Sequence, residues 1–124
     1  EATIKDLGVV CVEAGYDIVV GGNGGMDVRV CDHLVRVPGE EDVLEYTGAF
    51  LQLYREEAHY FERTAPWVAR AGIGYVKQRL IEDEAGCREL HARFLHSQKF
   101  VQSDPWAARA KGGEGHEFAR LAEA

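Results

Sequence analysis

The stretch Tyr16 to Gly25, YDIVVGGNGG, sets a β-branched run directly against five residues of which only Asn23 is not glycine. Glycine brings no Cβ and tolerates positive φ, so such a loop lets backbone amides approach a bulky or anionic ligand closely. The same residues also serve as an ordinary hairpin connection. Both readings stay open on the loop alone. On the first, Gly22, Asn23 and Gly24 form the wall of a binding cavity, with Asn23 the one loop side chain able to donate and accept hydrogen bonds.

Outward from the loop, Leu7 to Glu13 and Tyr16 to Val20 are rich in β-branched residues and separated by Ala14-Gly15, which predicts a hairpin. A third strand is expected from about Asp27 to Val37, broken near Asp32, with Val28 and Val30 on one side and Arg29 and Cys31 on the other. After Pro38-Gly39 the period becomes helical. Val43, Thr47, Phe50, Tyr54, Ala58 and Phe61 form a stripe at spacings of three and four, behind an acidic start at Glu40, Glu41 and Asp42. Thr64 is the expected cap of the next helix, with Pro66 in its first turn. Gly72 and Gly74 interrupt that helix, and helical runs follow over Ile73 to Glu82 and Glu84 to Phe100, the latter with Cys87, Leu90, Phe94 and Leu95 apolar. The fold class is α+β: a three-stranded antiparallel sheet (residues 1–38), then three or four helices (39–103), then a tail over 104–124.

Composition narrows the function classes. A chain of 124 residues can bury one core. A net charge of -7, from 21 acidic against 14 basic residues, opposes nucleic-acid binding. No run approaches the ~20 apolar residues of a membrane helix. Three cysteines without a close pair suit reduced thiols and a cytoplasmic setting better than a disulfide framework. The chain opens mid-pattern on EATIKD without a methionine, as an excised segment of a longer protein would; a processed secretory chain is the rival expectation.

Candidate chemistry is sparse. Cys31 and His33 share one side of a regular strand and Cys11 could lie nearby, but the paired spacing of structural zinc is missing. Glu56 and His59 make a single E-x-x-H, the unit that di-iron bundles use in duplicate. Cys87 and His91 stand at i and i+4, two ligands short of a closed site. Each reads by default as buried thiol or solvated polar face. The glycine loop matches neither nucleotide-binding glycine pattern and precedes a strand rather than a helix. No catalytic triad or nucleophile elbow is recognisable.

Three segments, EATIKD (1–6), GGNGG (21–25) and YREEAHYFERTAPWV (54–68), give the chain a further bearing. From Glu1 to about Trp106 it resembles the C-terminal end of the large subunit of siroheme NAD(P)H-dependent nitrite reductases, and more distantly the siroheme sulfite reductases. The resemblance implies a parent that reduces nitrite to ammonia with siroheme and a 4Fe-4S cluster, and that carries FAD and NAD(P)H sites far upstream. It implies that the cluster's cysteine pairs precede EATIKD, so that Cys11, Cys31 and Cys87 match none of them and the isolated chain binds neither group. The segment would then supply scaffold and cofactor wall, with Gly22, Asn23 and Gly24 lining the cavity and Arg29, with Arg36, facing the carboxylates of siroheme. Expected partners are the remainder of the parent chain and a small nitrite reductase subunit. The alternative class is a non-catalytic interaction module that keeps the fold; cysteine pairs just upstream of Glu1 would separate the two.

Overall fold

The β-branched runs pair as antiparallel strands in the computed structural model, which describes residues 2–100. A 3-10 turn at Ala2–Ile4 leads into β1 (Leu7–Val12), β2 (Gly15–Val20) and β3 (Asp32–Val37), in the spatial order β1-β2-β3. Val12 pairs with Gly15, so the hairpin turn is Glu13-Ala14, one residue earlier than the expected Ala14-Gly15. Gly15 belongs to the strand at φ +143, and a Cβ there would strike the Val37 carbonyl.

The third strand begins five residues later than expected. Residues 27–31 lie outside the sheet, where Arg29 makes an isolated bridge to Asn23 of the glycine loop. Val28 and Val30 are exposed, and Cys31 does not share a strand face with His33. In the pairing of β2 with β3 the register shifts between Ile18 and Val19 of β2: Val35 opposes Ile18, His33 opposes Val19, and Leu34 is the extra residue of β3. A bulge of this kind reverses the alternation. It explains why Leu34 and Val37, three apart, are both buried against the helices with Ile18 and Val20.

Among the described residues four helices follow the sheet: α1 (Glu40–Glu57), α2 (Thr64–Ala71), α3 (Ile73–Lys77) and α4 (Glu84–Gln98), with a π-helical turn at Gln78–Glu82 carrying α3 toward α4. The α+β expectation therefore holds. The stripe on α1 is displaced, however. Its fully buried residues are Ala49, Phe50 and Leu53; Val43, Tyr54 and Ala58 pack on the margin, and Phe61 lies beyond the helix with 88% of its surface exposed. Thr64 is the first residue of α2 rather than its cap, a position held by Arg63. Gly72, at φ +90, separates α2 from α3, whereas Gly74 lies inside α3 without interrupting it. On α4, Cys87 and Leu90 are buried but Leu95 faces solvent, and the helix ends at Gln98, two residues before the expected Phe100. The expected tail at 104–124 lies outside the described residues. Among those described, no helix is long and apolar enough to cross a membrane.

The helices meet around Trp67, which stands 5.8 Å from both Phe50 and Tyr54 between ring centres in tilted and edge-on contacts. Such pairs contribute about 0.5–1.5 kcal/mol beyond their area. α4 approaches α1 at Gly48, where a Cβ would stand 2.8 Å from Phe94 and 2.9 Å from His91. Gly48 faces His91 and Arg55 reaches Ser97, so α1 and α4 run in the same direction.

Between α1 and α2 the chain turns tightly at residues 58–63. The Tyr54 hydroxyl donates to the Glu62 carbonyl, and the Glu62 carboxylate accepts the His59 amide at 3.0 Å and a two-pronged Arg70 contact at 3.0 and 2.8 Å. Phe61 adopts φ +65, the one positive-φ residue other than glycine among those described, at a cost of about 1–3 kcal/mol.

Two outcomes follow from this packing. Phe50→Ala removes a fully buried ring and should lower unfolding stability by about 3–5 kcal/mol in urea titration. The Arg70 guanidinium, and then the His59 amide, hold the Glu62 carboxyl down from 4.5 to about 2. Its stabilising contribution is therefore complete above pH ~4.5 and is lost as pH falls toward ~2. A Glu62→Gln variant should show a shallower loss of thermal stability across that window.

Candidate functional site

β2 leads straight into the glycine loop, and the first two glycines are used against the chain's own N-terminal segment. Gly21 takes φ +76 and donates to the Asp6 carbonyl at 2.9 Å; Gly22 donates to the Lys5 carbonyl at 3.0 Å. Cys31 holds the segment from the other side, its amide on the Thr3 carbonyl at 2.7 Å and its thiol on the Lys5 carbonyl at 3.0 Å. A Cβ on Gly22 would stand 2.6 Å from the Cys31 sulfur and 2.8 Å from the Lys5 oxygen. The space that Gly22 leaves free is thus filled from within. Burial in this contact pushes the Cys31 thiol pKa up, against a reactive role.

The rest of the loop is closed by Asn23 and Arg29, whose backbones exchange hydrogen bonds at 2.8 Å in each direction. The Asn23 side chain works inside this closure: its amide nitrogen donates to the Asp27 carbonyl at 2.9 Å and its oxygen accepts from the Gly25 amide at 3.2 Å. Arg29 braces the base, donating to the Gly21 carbonyl at 2.7 Å and to Asp32 at 2.9 Å. Gly24 sits at the rim, where an added Cβ would meet only the flexible end of Ile4, at 3.2 Å, and the Ile4 carbonyl at 3.4 Å.

A concavity of about 450 Å³ opens beside the loop, lined by Ile4, Lys5, Asp6, residues 22–25 and Arg63. A second, of about 540 Å³, lies on the far side of Asn23 among Val28, Arg29, Phe61, Arg63 and Pro66. The structure thus gathers Gly22, Asn23, Gly24 and Arg29 in one loop. Arg36 lies elsewhere, near the other end of β3, where it grips Asp17 through two contacts at 2.8 and 2.9 Å; His33 adds a third at 3.1 Å, and together they hold the Asp17 carboxyl well below the carboxylate range.

Lys5 and Arg63 also line the first concavity, and no motif in the sequence points to them. Arg63 arrives through Asp6, whose carboxylate accepts from Arg63 at 2.9 Å and from the Thr64 hydroxyl at 2.5 Å. No local spacing announces a contact across 57 positions. The only sequence signal was that EATIKD, GGNGG and YREEAHYFERTAPWV, the segments carrying the family likeness, contain all of its participants.

Metal-ligating groups do not converge. Cys11 is exposed on β1, Cys31 is bonded to Lys5, and Cys87 is buried in α4 with its thiol pKa pushed up to about 11 by burial. Glu56 is paired with Arg93 at 2.7 Å, and His59 lies past the end of α1. Among the described residues no group of three or more Cys, His, Asp or Glu side chains is placed to hold a metal ion.

A family model described as nitrite and sulphite reductase 4Fe-4S domain matches residues 1–89, and the chain belongs to that family. It is 46% identical over 106 residues to the nitrite reductase NAD(P)H of Bacillus subtilis, a match covering 86% of this chain and 13% of that protein. It is 38% identical over 88 residues to the nitrite reductase (NADH) large subunit of Escherichia coli, covering 69% and 10% respectively. An assimilatory-type sulfite reductase of Nitratidesulfovibrio vulgaris is 26% identical over 81 residues, 37% of its length. The chain therefore spans only about a tenth of the length of the nitrite reductases it matches. No solved structure matches it.

Gly22, packed from within, and Gly24, at the rim, offer a direct test of the internal packing. Gly22→Ala should lower stability by about 1–3 kcal/mol, as overpacking does. Gly24→Ala should change it by no more than about 0.5 kcal/mol. Urea unfolding of the two variants side by side measures the difference.

Proposed function

We propose that this chain is part of the large subunit of an NAD(P)H-dependent nitrite reductase and that it builds one wall of the siroheme cavity. The observation that supports this most is the family match over residues 1–89, with 46% identity to a nitrite reductase across most of the chain. In this reading residues 1–103 complete the siroheme and 4Fe-4S domain, while the cluster's thiolates come from elsewhere in the parent, in keeping with the dispersed Cys11, Cys31 and Cys87. FAD and the nicotinamide bind in other parts of the parent. The parent is cytoplasmic, and its partners are its own remaining domains and a small nitrite reductase subunit.

The residues at the loop suit a carboxylate-rich macrocycle. Siroheme, when bound, supplies the iron centre at which nitrite is reduced. The chain's part is to hold and orient it. Gly24 and Gly25 present backbone without bulk at the rim, and Lys5 and Arg63 border the same concavity. Guanidinium and ammonium groups recognise carboxylates through charge-assisted hydrogen bonds, Arg with a two-pronged geometry. Arg29 contributes from beneath by fixing the loop, and Gly22 and Asn23 by keeping its shape. The fragment alone is scaffold and wall, without activity.

Because the space at Gly24 is bounded within this chain by the flexible end of Ile4 and one carbonyl, a bulkier residue there reports on what lies outside the chain. In the full-length enzyme, Gly24→Val should lower siroheme content and nitrite turnover together, while NADH-dependent reduction of an artificial acceptor at the flavin persists. Unchanged siroheme content and turnover would show the loop to be an ordinary turn.

A further inference from the structure

Asn23 is the only asparagine in the chain, and glycine follows it. An asparagine side chain is electrophilic at Cγ and lies one ring closure away from the backbone nitrogen of the next residue, which is what makes asparagine a labile residue. Two things ordinarily protect it: the bulk of that next residue, and a hydrogen bond that occupies its amide. Glycine removes the first, having no Cβ to screen the nitrogen. The structure removes the second. Gly21, Gly22, Asn23 and Gly25 each donate a backbone hydrogen bond, but the Gly24 amide has no acceptor among the described residues. Residues 24–28 are exposed, so water and hydroxide reach it.

The Asn23 carboxamide is meanwhile held by both polar atoms, its nitrogen on the Asp27 carbonyl at 2.9 Å and its oxygen on the Gly25 amide at 3.2 Å. The second contact bears on reactivity. An N–H aimed at a carbonyl oxygen stabilises the negative charge which that oxygen takes up when a nucleophile adds to the carbon.

We propose that Asn23 and Gly24 form a site of spontaneous, one-way modification: in the folded protein Asn23 deamidates through a cyclic imide, and the glycine loop loses its clasp as a result. Hydroxide removes the Gly24 amide proton, and the nitrogen attacks Asn23 Cγ. The N–Cγ bond forms, the Cγ–Nδ2 bond breaks, and Nδ2 leaves as ammonia with a proton from water, which restores the hydroxide. A water molecule then opens the imide. Breaking the new N–Cγ bond yields aspartate; breaking the original bond from the Gly24 nitrogen to the Asn23 main-chain carbon yields isoaspartate. No electrons are transferred and water is the only co-reactant.

Either product dismantles the clasp. A carboxylate cannot donate to the Asp27 carbonyl, and its charge faces that oxygen instead. Isoaspartate also routes the backbone through the former side chain, which detaches the bridge to Arg29 from the main chain of the loop. Every group involved belongs to this chain, so the proposal stands apart from the reductase reading.

The experiment holds the full-length enzyme at mildly alkaline pH and follows the peptide containing Asn23 by mass spectrometry, with isoaspartate read by enzymatic methylation of its carboxylate. The expected result is progressive conversion to aspartate and isoaspartate, faster as pH rises and unchanged in urea below the unfolding transition. Gly24→Ala, whose methyl meets only the flexible end of Ile4 and one carbonyl, should slow conversion by about tenfold. Asn23→Asp, which installs one product directly, should speed exchange of the Arg29 amide by about tenfold or more. An Asn23 peptide that stays intact, conversion that rises in step with the unfolded fraction in urea, or an equal rate in Gly24→Ala would overturn the proposed site. Unchanged Arg29 exchange in Asn23→Asp would overturn the loss of the clasp.

Discussion

Asp6 joins three stretches that the sequence keeps far apart, and the geometry of the glycine loop depends on it. Its carbonyl receives the Gly21 amide, and its carboxylate receives the Thr64 hydroxyl and the Arg63 guanidinium. These contacts are not equal. The Arg63 pair is exposed and contributes at most about 1 kcal/mol. The Thr64 bond is part-buried and involves a charged acceptor, the class that contributes about 1.5–3 kcal/mol. Asp6 also brings its negative charge to the first turn of α2, where unpaired amides favour it. One side chain thereby ties the N-terminal segment to the helical layer, while the backbone of the same residue positions the loop.

This arrangement changes what the glycines mean. A run such as GGNGG invites a reading in which every missing Cβ makes room for a ligand. Gly21 is needed for its φ of +76, and the place of a Cβ there is already taken by Val68; Gly22 is needed because Lys5 and Cys31 pack against it. Only Gly24 and Gly25 face open space bounded by flexible or loop side chains. Asn23 is likewise turned inward as the clasp of the loop.

What could be read from sequence follows from the range of the interactions concerned. Strands β1 and β2 and helix α1 are legible because β-branched runs and helical periodicity are local signals, and Gly22, Asn23, Gly24 and Arg29 fall in one loop because they are close in sequence. The misplacements have non-local causes. Cys31 is held by Thr3 and Lys5 outside the sheet, so β3 starts late and Val28 and Val30 do not enter it; the bulge at Leu34 is set by pairing with β2. Phe61 continued the periodicity of α1, but the Glu62 clamp from Tyr54 and Arg70 draws the chain out of the helix after Glu57. Thr64 carried a capping signature and its hydroxyl went to Asp6 instead. Lys5 and Arg63 as rim residues required the tertiary fold, although the family likeness already rested on the segments that contain them.

A loop with four glycines in five residues should be costly to order, since glycine loses the most backbone freedom. Here that cost is met during folding. Gly21, Gly22, Asn23 and Gly25 each donate a backbone hydrogen bond within the chain, and Asn23 and Arg29 close the base. On the proposed reading, a ligand at the rim would meet a shape that is already set, and its affinity would not be diminished by ordering the loop. The same reasoning applies to the strained, braced turn at Phe61. Contacts made inside this segment set both shapes, so neither depends on an outside partner for its order.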